Sequence, residues 1–131
     1  MIVPCEMAAK AVIPAIRAMV AKELSQSYKK RQEDIATLLG ITQSAVSQYL
    51  SNTRGKALDL EGIREVEVVV KDIAYLLIAR SSRPRVLCQK YCKTCRIIRE
   101  KRILCQLHQR VDPTFDTTDC DICMPTSTAC F

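Results

Sequence analysis

No run of apolar residues in this chain approaches the ~18 to 20 needed to cross a bilayer, so no membrane partner is expected. The opening MIVPCEMAAK lacks the basic flank followed by an apolar stretch that marks a secretory leader, and the expected location is the cytoplasm. No internal repeat or low-complexity tract occurs. Histidine is present once, and 131 residues are far too few for the large barrel that radical enzymes require, so an enzyme acting on a small-molecule substrate is not expected. Acid is scarce too. The 14 Asp and Glu stand against 20 Lys and Arg, a net charge of +6. That balance suits a polyanionic partner, nucleic acid first, or a basic surface kept for solubility.

Cysteine is abundant. Seven of the eight lie between Cys88 and Cys130, and in a reducing compartment they read as metal ligands or redox thiols before structural disulfides. A chain of this length buries one modest core, or one small domain plus an appendage that needs a staple. The expected fold is mainly α. A helix-turn-helix domain spans residues 1–57, a long helix and linker that could dimerise span 58–85, and a cysteine-rich, metal-stapled unit spans 86–131.

Residues 11–24 put Val12, Ile16, Met19, Val20 and Leu24 on one helical face, with Pro14 near the first turn or at a kink. A second helix, QEDIATLL, turns Ile35, Leu38 and Leu39 inward and is stopped by Gly40. A third runs from Thr42 or Gln43 to about Leu50, with Thr42 as its N-cap. After the loop SNTRGK, Asp59 is placed to cap a helix over about 60–80. Its VEVVV run could read as a strand, but KDIAYLLIA restores helical spacing. Its stripe of Ile63, Val66, Val69 or Val70, Ile73, Leu76 and Leu77 has to be covered, with a second copy favoured over the first domain.

The segment QEDIATLLGITQSAVSQYL has the residue types of a DNA-reading helix-turn-helix, each for a mechanical reason. Ala36 is small at the helix crossing, Gly40 permits the turn, and Ile41, Val46 and Tyr49 fill the shared core. Opposite that core, Gln43, Ser44, Ser47 and Gln48 share a polar face suited to base edges in a major groove, and Arg54 and Lys56 suit phosphates. The bland alternative is a helical hairpin whose exposed face happens to be polar.

In the tail, Cys92 and Cys95 form one C-x-x-C pair and Cys120 and Cys123 another, with Cys88, Cys105 and Cys130 as further thiols. A C-x-x-C turn lets two thiolates converge, and two pairs serve tetrahedral zinc or an iron–sulfur cluster. Soft ligands alone in the pairs, the triplet Cys88, Cys92, Cys95 and the surplus thiols favour a [4Fe-4S] cluster. Structural zinc is the alternative. The candidate ligands are Cys92, Cys95, Cys120 and Cys123, with Cys105 as substitute. His108, three residues after Cys105, could complete a Cys₃His zinc site or be a surface residue; Arg96, Arg99, Lys101 and Arg102 read as a solvated face, and Cys5 as an isolated, buried small hydrophobe.

The words ATLLGITQSAVSQYLSNTRG and PCEMAAKAVIPAIRAMVAKEL resemble lambda-repressor and Cro-like (Xre-type) regulators, in particular archaeal ones. The likeness covers about residues 1–57 and is weaker over the tail. It implies that Gln43 to Gln48 lie on a recognition helix and that the protein binds double-stranded operator DNA as a homodimer. Joined to the tail, the expectation is a transcriptional regulator that responds to redox state or iron.

Overall fold

The computed structural model describes residues 1–80 and 83–124. Seven α-helices and one π-helical segment are present among them, and no strand, so the fold is mainly helical. α1 (Pro4–Met7), the π segment (Ala8–Val12) and α2 (Ile13–Gln26) share helical backbone at both junctions and form one continuous rod. The rod therefore starts seven residues before the apolar spacing alone suggests. Pro4 stands at the first helical position, where the missing N–H costs nothing. Pro14 lacks the donor that an α-helix needs, and the wider π turns fall just ahead of it.

The rod is rich in alanine, the best helix former and the smallest side chain that keeps a helix. Ala8, Ala11, Ala15, Ala18 and Ala21 are all buried, which lets neighbours come close on several sides. α2 packs against α3 (Gln32–Leu39), α4 (Gln43–Leu50), α5 (Arg64–Ala79) and α6 (Pro84–Glu100). α7 (Ile103–Val111) packs on α6 and on α1. One cluster of buried residues runs from Met7 through Ile35, Tyr49 and Ile73 to Ile98 and Leu104, so the cysteine-bearing helices share their core with the first three.

α3 ends at Gly40 in the left-handed conformation (φ 67°, ψ 35°). The Ile41 amide reaches back to the Ala36 carbonyl at 3.0 Å, the Schellman arrangement that satisfies a helix end. Thr42 then caps α4, its hydroxyl accepting from the Ala45 amide at 3.1 Å.

α5 is a helix through the VEVVV run, as its spacing requires, but it begins at Arg64 and not near Leu60. Asp59 caps a local turn instead, accepting from the Glu61 amide, and Gly62 (φ 83°) turns the chain before Ile63 opens the helix. Its buried stripe of Val66, Val69, Val70, Ile73, Ala74 and Leu77 faces α2 and α6. The chain itself covers the face for which a second copy was favoured, and Ile73→Glu would put a charge into this core, not into a contact between copies. Of the linker SSRPR, Ser81 and Ser82 lie outside the described residues, while Pro84 already stands at the start of α6.

Two glycines hold positive φ for different reasons. A Cβ at Gly40 would meet open space, whereas at Gly55 (φ 77°) it would lie 2.6 Å from the Pro14 carbonyl oxygen. Gly55→Ala should therefore destabilise the fold by about 1 to 3 kcal/mol and by more than Gly40→Ala, where only the left-handed backbone costs roughly 1 kcal/mol. Urea unfolding of both variants checks this. Equal midpoints would mean that the loop after α4 is not held against α2.

Candidate functional site

Two surfaces bring together the chemically distinctive residues. The first is the outer face of α4. Ala45, Val46 and Tyr49 point into the core, with Tyr49 only 2% exposed, which leaves Gln43, Ser44, Ser47 and Gln48 together on the solvent side. Thr42 is exposed and spends its hydroxyl on the cap. Past the end of α4, the amides of Thr53 and Arg54 both bond to the Gln48 carbonyl, which folds the loop back on the helix. Arg54 lies over the Tyr49 ring, 5.5 Å from its centroid, and the Lys22 ammonium donates to the Asn52 side chain. Arg54 and Lys56 are both exposed. Polar donors and acceptors are thus flanked by cations at one end of the helix.

The second is a cluster of thiols around Arg99. Cys88, Cys92, Cys95 and Arg99 are spaced along α6 so as to form one stripe, exposed at Cys88 and Cys92, half-buried at Cys95 and buried at Arg99. The Cys92 and Cys95 pair is therefore helical and not a turn. The run of basic residues is not one solvated face either: Arg99 is 3% exposed, and Lys101 pairs with Glu65 at 3.2 Å.

The Arg99 Nε donates to Cys123 Sγ at 3.2 Å. Burial works against its charge, but Cys123, Cys95 and Cys5 outweigh that and hold its pKa above the ordinary value. A small apolar cavity beside it is lined by Pro4, Arg99, Cys105, His108, Cys120 and Cys123, among others. Burial pushes the Cys95 thiol up, with Arg99 opposing; Cys105 is likewise raised by burial and by neighbouring Cys123, with Arg102 opposing. Cys130 lies outside the described residues.

His108 is neither a surface residue nor available as a ligand through its bonded nitrogen. It is 5% exposed, its Nε2 is 2.8 Å from the Ile2 carbonyl oxygen, and its ring stacks on Phe115. The Ile2 amide donates to Asp112, so both backbone groups of Ile2 are held by α7 and its end. This latch carries Cys5, exposed and not buried, to Arg99.

Comparison with protein families, with curated proteins and with solved structures gave no match. The site therefore has to be judged on its own chemistry. Five thiols, Cys5, Cys95, Cys105, Cys120 and Cys123, gather near one cation, and such a donor set fits a soft metal. As placed, no three His, Cys, Asp or Glu groups among the described residues close on a common point. The thiols surround the guanidinium.

Cys5 and Arg99 escaped the sequence reading. Cys5 stands 83 residues before the next cysteine, and only the Ile2 latch explains its position. For Arg99 the available signal was its place on the stripe of Cys88, Cys92 and Cys95.

The latch has a pH dependence with a definite sign. The Thr114 hydroxyl, then the Ile2 amide, hold the Asp112 carboxyl below its ordinary value. A group lowered in this way stabilises the fold above its unfolded pKa, and that contribution fades as pH falls through the folded one. The Ile2 amide resonance should therefore stay constant near neutrality and shift only below about pH 4. Asp112→Asn should abolish that acid step; an unchanged step would assign it to another group.

Proposed function

We propose that this chain is a sequence-specific transcriptional regulator that binds double-stranded DNA through α4, and that the thiol pocket makes its binding responsive to metal or redox state. The observation that carries the DNA half is the outer face of α4. Two short helices meet at a Gly40 turn, and the second shows Gln43, Ser44, Ser47 and Gln48 to solvent. Gln matches the donor and acceptor pair of adenine in the major groove, and Ser matches several bases or phosphates. Arg54 and Lys56 supply phosphate contacts that fix the register.

A plain helical hairpin would need none of this coincidence. The polar face, the tight turn and the adjacent cations occur on one short segment, and the same segment carries the words that resemble lambda-repressor and Cro-like regulators. In this reading the chain binds and does not catalyse, and it works in the cytoplasm. A homodimer would set two copies of α4 about one DNA turn apart. The stripe on α5 lends that no support, because it is covered within the chain; exposed Val68 and Tyr75 are the apolar residues α5 leaves outside.

For the tail, Cys95, Cys105, Cys120 and Cys123 would hold an iron–sulfur cluster, with Cys92 beside Cys95 as the exposed substitute. Such a cluster supplies a reversible one-electron change. Structural zinc on the same thiols is the second reading, favoured by the lack of any described helix beyond Val111, where a staple would fix residues 112–124.

With a duplex selected from a random pool, Gln43→Ala and Gln48→Ala should each lose roughly 1 to 3 kcal/mol of discrimination at one base position. Arg54→Ala should weaken all sequences alike and reduce the salt slope. A salt-controlled titration in which neither kind of variant differs from the parent would remove α4 from the interface.

A further inference from the structure

The pocket's most consequential member comes from the far end of the sequence. The rod that supports α3 and α4 begins at Pro4, and its first turn carries Cys5. Cys5 reaches the same guanidinium as Cys95 of α6 and Cys123 of the tail, and its neighbour Pro4 lines the cavity with Cys105, Cys120 and Cys123. Thiols from the rod, α6, α7 and the tail thus surround one buried cation. The placement does not depend on Cys5 alone, because Ile2 is independently held by His108 and Asp112.

We infer that Cys5 is a ligand of the thiol centre, so that a soft metal ion or iron–sulfur cluster bound there ties the first turn of the rod to the tail. This rests on the reading of the pocket as a metal centre. Each thiol that binds gives up its proton to solvent, and thiolates collected around a metal leave excess negative charge. Arg99 is the counter-charge already in place. Because the rod continues unbroken into α2, which packs on α4, loading at Cys5 acts on the element that supports the proposed reading helix. Cys88, at the exposed far end of the stripe and beside Tyr91, is not a ligand.

The full chain is loaded anaerobically, once with Co²⁺ as a coloured stand-in for zinc and once with iron and sulfide. Metal content and the visible spectrum are compared for the parent, Cys5→Ser and Cys88→Ser. Changes outside the ligand shell of metal sites already weaken binding by about 10- to 100-fold, so Cys5→Ser should weaken it at least tenfold and change the spectrum, with Cys88→Ser like the parent. In the parent, bound metal should also protect Cys5 from iodoacetamide while leaving Cys88 reactive, a readout that needs no variant to fold. Metal-loaded protein in which Cys5 stays fully reactive, or Cys5→Ser with parental affinity and spectrum, would overturn the assignment alone. A parent that takes up neither cobalt nor iron would overturn the metal centre itself, and this inference with it.

Discussion

Everything in this molecule leans on one helical rod from Pro4 to Gln26. With few aromatic residues in the chain, the core depends on close approach, and the alanine positions of the rod permit it. Four later helices use α2 as their common support, and α7 reaches the rod through α1. The loop after α4 is held against it where Gly55 meets Pro14. A side chain added there would have to displace backbone, so the orientation of α4 is tied to the rod at both the helix and its exit.

The second constraint is electrostatic. A guanidinium that is 3% exposed must have its charge offset within the protein, and the thiols of Cys123, Cys95 and Cys5 are among the groups that do so. Neutral thiols are weak partners and thiolates strong ones. Arg99 therefore favours chemistry that makes thiolates, and it links the cysteine stripe of α6 to the rod. The proposed reading surface and the proposed responsive surface are joined by one continuous element.

Local features were legible in the sequence and distant ones were not. Gly40, Thr42 and the apolar positions of α3 and α4 act within a few residues of themselves, and their spacing already defined two helices and a turn. The helical reading of VEVVV held for the same reason, since KDIAYLLIA continued its period. The start of α5 was misjudged because Asp59 and Gly62 both stop or start helices, and Gly62 with its positive φ prevailed. The cover for the α5 stripe was unreadable, because α6 is polar along most of its length and buries little besides Thr94, Ile98 and Arg99. Arg99 looked like its basic neighbours, and its burial follows from chain packed against it from as far away as Pro4. His108 likewise took its role from Ile2, more than 100 positions distant.

The account stands or falls on whether the outer face of α4 meets DNA. A photo-crosslinking amino acid placed at Ser47, and as a control at Tyr75 on the exposed side of α5, tests this on the full chain with a duplex enriched from a random pool. Both positions are exposed, so neither substitution disturbs the core. The account predicts crosslinks from position 47 to bases within the enriched sequence, and none from position 75. Crosslinks from position 75 and not from 47, or no enrichment of any duplex by the parent protein, would contradict it.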